Sequence, residues 1–81
     1  MNNKKILEKE IIGIIAKTLK VNNSKIKKNL SIGSIHQWDS LMHLNIFFSL
    51  KKKYKKLELD NAADVKSVND WIKLIKNEYN D

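Results

Sequence analysis

The stretch that runs on from Asp39 constrains this chain more than any other. Residues 40–56 contain neither glycine nor proline, and apolar side chains recur through them at three- and four-residue spacing. That is the period of a helix with a buried side. Asp39 stands where a carboxylate can accept from amide groups left unpaired at a helix start. Ser40 then takes the first helical position, with its hydroxyl at the exposed lip of the helix. A phosphate esterified to that hydroxyl would meet free N–H groups and the positive end of the helix dipole.

Projecting the helix at about 100° per residue gives two apolar stripes rather than one. Ile46, Phe47, Leu50 and Tyr54 share one side with His43, while Leu41, Leu44 and Phe48 share another beside Ser40. A chain of 81 residues usually buries one stripe of such a helix. The second is either core as well or a docking surface for another protein.

The remaining residues predict one all-α domain over 1–81. A first helix is expected over 4–19, with Asn3 as its cap. Leu7, Ile11, Ile14 or Ile15, and Leu19 face inward, and Lys4, Lys9, Lys17 and Lys20 face water. Gly13 weakens this helix by about 1 kcal/mol relative to alanine and is a candidate for a close helix contact. Residues 22–38 form a long connection, and loops of this length are normally functional or internally anchored. Ile26, Leu30, Ile32 and Ile35 are its expected anchors, Ser24 starts a short turn over 25–28, and Gly33-Ser34 makes a bend. Beyond the central helix, Leu57 and Leu59 are expected anchors around an exposed Glu58. Asp60 is expected to cap a short helix over 61–65. Ser67-Val68-Asn69-Asp70 reads as a capping box with Asp in place of Glu or Gln. Val68, Trp71, Ile72, Leu74, Ile75 and Tyr79 give the last helix its apolar face.

Composition narrows the chemistry. With no cysteine there is no disulfide, no thiolate metal ligand and no thiol nucleophile. Any thiol chemistry has to come from an attached group, and the composition fits a cytoplasmic protein. His36 and His43 match no zinc spacing, so no metal site is expected, and no glycine-rich phosphate loop is present. Asp39, Ser40, His36 and His43 lie close in sequence, but a hydrolase also needs an oxyanion hole in a dry pocket. The run 11–16 is too short to span a membrane, and Glu8 and Glu10 spoil a secretory leader. Net charge is +7, and all sixteen basic residues are lysine. Such a balance raises nucleic acid, membranes or acidic proteins as partners. Surfaces that read phosphate usually recruit arginine for its bidentate fork, and lysine, asparagine and isoleucine are together what an AT-rich coding sequence produces.

Asp39-Ser40-Leu41, opening an apolar helix about halfway along a helical chain of this length, resembles the acyl carrier proteins. The likeness covers nearly the whole sequence. It implies an all-α, acyl-carrier-protein-like bundle of three main helices plus one short helix, with a long loop between the first and second. It further implies a single, non-catalytic carrier domain that is monomeric. Its cofactor would be 4′-phosphopantetheine from coenzyme A, covalently held on Ser40 with Asp39 beside it. The terminal thiol of that arm carries an acyl or aminoacyl group as a thioester, in fatty-acid or more specialised biosynthesis. Trp38-Asp39-Ser40-Leu41 followed by Met42-His43-Leu44-Asn45 looks more like carriers dedicated to particular pathways.

Under the same resemblance the partners are a phosphopantetheinyl transferase and an acyl-loading ligase or synthase. They would dock on Leu41, Leu44, Asn45, Phe48, Lys51, Lys52 and Lys55. An acyl pocket would form from His43, Ile46, Phe47, Leu50 and Tyr54. The chain departs from the family in two places. Trp38 replaces a small residue, as a core side chain closing the loop or as a partner contact. Asn45 and Lys51, Lys52 and Lys53 stand where acids are usual, so partners with an acidic docking face are expected. Those lysines also oppose the helix dipole, by roughly 0.3–1 kcal/mol each. The alternative is a small basic helical module, binding nucleic acid through residues 51–56 or binding protein, with no prosthetic group.

Overall fold

The computed structural model describes residues 3–79, and four α-helices carry them: α1 (Asn3–Leu19), α2 (Ser40–Lys53), α3 (Leu59–Ala63) and α4 (Val68–Tyr79). Among the described residues, β-pairing is limited to one isolated bridge between Ser31 and Ser67. The architecture is all-α, with three main helices and one short one, as expected. None of the described helices is long and apolar enough to cross a membrane. α1 packs along α2 and α4, while α3 lies against α2.

The inward residues of α1 are Ile11, Ile15, Ala16 and Leu19, one per turn or nearly so. They meet Ile46, Phe47, Leu50 and Tyr54 from α2 and its end, and Val68, Trp71, Ile72 and Ile75 from α4. α1 stops in a Schellman motif: Val21 N–H donates to the Ala16 carbonyl at 3.0 Å and Lys20 N–H to Lys17 at 3.3 Å. Lys20 therefore carries a φ of 61°, a left-handed conformation usually given to glycine.

The long connection is held down at both ends and in the middle. Ile26 is buried, and Leu30, Ile32 and Ile35 pack against the core as partly buried side chains. Gly33 turns the chain with φ 84°, and its N–H donates to the Trp38 carbonyl at 2.7 Å. Two loop carbonyls, Leu30 and Lys28, accept from the N–H groups of Val68 and Asn69 at 2.9 Å each. Ser67 Oγ accepts from Asp70 N–H at 3.1 Å, and the Ser67 carbonyl from Trp71 N–H. The amides of Val68, Asn69 and Asp70, three of the four left over at the start of α4, thus have acceptors, and Trp71 N–H makes the helix's first internal bond. The capping box closes one residue early, because Asp70 accepts from Lys66 N–H at 3.0 Å rather than from Ser67.

Charged groups fasten the same layers. Glu8 on α1 bonds Lys28 in the loop at 2.8 Å and Lys76 on α4 at 2.6 Å. Those bonds, Lys28 first, hold its carboxyl below the ordinary value near 4.5. Glu10 is lowered in the same sense by Lys53 and then by the Tyr54 hydroxyl.

Several sequence expectations shift. Of the uninterrupted run 40–56, α2 takes Ser40–Lys53, with Tyr54 as its C-cap, and Lys51 folds back to bond the chain beyond. The short helix is Leu59–Ala63 rather than 61–65, so Asp60 lies inside it and Glu58 holds the cap position without a side-chain bond. Leu57 is buried as expected, but Leu59 is 55% exposed and anchors nothing. The turn expected over 25–28 is a 3₁₀ turn at Asn23–Lys25. Gly13 marks no close helix contact: a β-carbon there would first meet Asn23 Nδ2, at 3.8 Å. Asn3 is already helical. The side chains of Asn3, Lys4 and Tyr79 lie outside the described residues.

Candidate functional site at the start of the second helix

Asp39 caps α2 from an extended backbone, φ −104° and ψ −173°. Its carboxylate accepts from Met42 N–H at 2.9 Å, and its carbonyl from His43 N–H at 2.9 Å. The N–H groups of Ser40 and Leu41 find no partner among the described residues. Where the first three amides of α4 are filled, two by the loop and one by Ser67, the first two of α2 stay open. Ser40 sits at that opening with its side chain exposed.

The two stripes of α2 part company. Ile46, Phe47 and Leu50 are buried, and Tyr54 with them, its hydroxyl donating to Glu10 at 3.0 Å. Leu41 is 70% exposed, Phe48 53% and Leu44 39%. With Leu59 they are, among the described residues, the large hydrophobic side chains left outside, and the stripe starts one residue after Ser40. The ambiguity left by periodicity resolves toward an uncovered face.

Trp38 is wholly buried, so it closes the loop as a core residue. Its indole N–H donates to His43 Nδ1 at 3.0 Å. An indole nitrogen can only donate, so the imidazole proton lies on Nε2, which reaches the Ala62 carbonyl on α3 at 3.3 Å. The Trp38 and His43 planes lie within 19° of each other with centroids 5.8 Å apart. Trp71 packs on the same imidazole at 5.3 Å, and its own buried N–H has no acceptor among the described residues. Both His43 nitrogens are thus committed away from Ser40, whose nearest carboxylate, Asp39, is committed to the cap.

An apolar cleft of about 220 Å³ opens between α2 and α3, lined by His43, Leu44, Phe47, Leu59, Ala62 and Ala63. Of the residues expected to build an acyl pocket, His43 and Phe47 line it. Ile46, Leu50 and Tyr54 do not: they are buried in the core, with the Tyr54 hydroxyl held by Glu10 of α1. Leu59, Ala62 and Ala63 were missed. No local pattern marks them, since they enter only when α3 folds onto α2.

The lysines separate by role. Lys51 is half-buried and donates to the carbonyls of Lys55 and Leu57 in the segment that follows α2. It ties that segment back to the helix and is withdrawn from partner choice. Lys53 is bound to Glu10 at 2.8 Å. Lys52 and Lys55 remain exposed, and Asn45 is exposed with a weak contact to Met42 sulfur at 3.4 Å. His36 lies exposed in the loop.

No protein-family model matches this sequence. No curated protein matches it either.

Proposed function

We propose that this chain is a carrier protein that holds 4′-phosphopantetheine on Ser40 and passes a thioester-linked acyl or aminoacyl group between biosynthetic enzymes of a specialised pathway. The observation that carries the reading is the open start of α2: an exposed serine hydroxyl beside two unpaired amides. A phosphodiester there lies at the positive end of the helix, where negative charge is favoured by about 0.3–1 kcal/mol. The residues fit the group in a second way. Exposed Leu41 follows the serine directly, and exposed Leu44 and Phe48 continue its stripe along α2, offering an enzyme an apolar footing while it works on the arm. The group supplies the thiol that a cysteine-free chain lacks.

A phosphopantetheinyl transferase and a loading ligase or synthase are the partners this implies. Lys52 and Lys55 border the far end of the footing and favour a docking face carrying carboxylates. Asp39 keeps the helix start in place for the transferase. A second reading is favoured by the same uncovered stripe: a protein-interaction module with no covalent arm. Nucleic acid is a weaker fit, since Lys51 and Lys53 are spent on carbonyls and on Glu10.

Incubation with coenzyme A and a broad-specificity transferase separates these readings. A carrier gains one phosphopantetheine by mass, and the Ser40→Ala variant gains none. An interaction module stays at its starting mass. Reversing Lys52 and Lys55 to glutamate should slow loading by the cognate enzyme, and an unchanged rate would remove the acidic-partner assignment.

A further inference from the structure

The bond that joins α3 to α2 and the bond that fixes the loop before Ser40 are made by one side chain. His43 Nε2 holds the Ala62 carbonyl, and His43 Nδ1 holds the Trp38 indole. His43 and Ala62 also both line the apolar cleft. The cleft exceeds the roughly 150 Å³ that takes a benzene ring in a protein interior. A chain entering it must occupy the space beside the 3.3 Å Nε2–H···O contact, the longer of the two His43 bonds.

We infer that His43 is a latch through which an apolar chain seated between α2 and α3 loosens the loop that presents Ser40. Parting the two helices releases Nε2 from Ala62, and the ring is then free to turn. Turning withdraws Nδ1 from Trp38. The N–H of Trp71, packed on the same imidazole and lacking an acceptor, gives the turned ring an alternative donor. Trp38 is the hub of the loop: its carbonyl holds Gly33 and its N–H holds the Ile35 carbonyl. Two residues later comes Ser40. A seated chain and an empty cleft thereby present different surfaces to a docking enzyme, which is how a carrier signals whether it is loaded. That use rests on the carrier reading of Ser40, whereas the coupling itself does not.

The test needs no prosthetic group. Leu59 lines the cleft and is exposed, and the chain has no cysteine, so the Leu59→Cys variant can be labelled uniquely. Hexyl methanethiosulfonate delivers an apolar chain at the cleft mouth, and methyl methanethiosulfonate is the control. The hexyl adduct should move the Trp38 indole N–H resonance and speed amide exchange at Gly33 and Met42 about fivefold to tenfold. The methyl adduct should do neither. Adding His43→Phe, which keeps an aromatic ring and removes both bonds, should abolish the difference at Gly33 and Met42. Trp38→Phe should abolish it too, and serves if the histidine variant does not fold. Identical hexyl and methyl spectra would overturn the inference, as would shifts confined to α2 and α3. Coupling that survives in either second-site variant would overturn it as well. Failure of the transferase to modify Ser40 would instead remove the carrier reading and leave the coupling intact.

Discussion

At position 39 one carboxylate does two jobs, and they can be told apart. It accepts from Met42 N–H, which stabilises the start of α2, and it stands beside the Ser40 hydroxyl. Replacing it with alanine removes the cap and should lower stability by about 1 kcal/mol. Asparagine, an equally good cap, should restore it. Chemical denaturation of the two variants checks this, and near-equal midpoints for alanine and wild type would mean the cap contributes little. The cap was legible in the sequence because it is local: Asp39 and Ser40 need only their own helix. His43 was not. Its bonds run to Trp38 and to Ala62, nineteen residues away, and only the packing of α3 brings that carbonyl to the ring. Lys51 is a similar case, since a lysine near a helix end reads equally well as a free charge until the carbonyls of Lys55 and Leu57 turn back to meet it.

Within α2 the two stripes are equally apolar, so the helix alone does not choose which to bury. The choice is made by the rest of the fold: Ile46, Phe47 and Leu50 join one core with residues of α1 and α4, while Leu41 and Phe48 stay in solvent. The helices themselves were legible from periodicity and capping, with ends displaced by a turn or less. α3 slid furthest, because five residues carry too little pattern to fix a boundary. The uncovered stripe makes a prediction at this scale. Changing Leu41 and Phe48 to serine removes one ring contact with the core, the edge-on packing of Phe48 against Phe47 at 5.4 Å, so stability should fall by no more than about 0.5–1.5 kcal/mol. Loading by a partner enzyme should fall steeply. A large loss of stability would show instead that the stripe is packed in the folded chain.

For the whole molecule, the link between α1, the long loop and α4 depends on ionised carboxylates. Glu8 holds Lys28 and Lys76, and Glu10 holds Lys53 and Tyr54. Both carboxyls titrate below their ordinary value near 4.5. A depressed folded pKa means that the unfolded chain binds protons first as pH falls. Their contribution is therefore complete above about pH 4.5 and is lost as pH drops through the lower, folded values. Urea midpoints should hold from neutrality to mild acid and then decline. Glu8→Gln should start lower at neutral pH and lose less in acid, and parallel curves for the two proteins would contradict the assignment. With Lys28, Lys53 and Lys76 paired and Lys51 bonded to carbonyls, part of the +7 charge is spent inside the fold, and Lys52 and Lys55 remain at the docking end.

Everything proposed about function passes through the hydroxyl of Ser40. The most direct measurement is peptide-level mass spectrometry of the protein recovered under mild conditions from the cells that make it. The account predicts that the peptide containing Ser40 carries phosphopantetheine, with or without cargo on its thiol. A bare Ser40 peptide, in an extract whose other carriers do bear the arm, would contradict it.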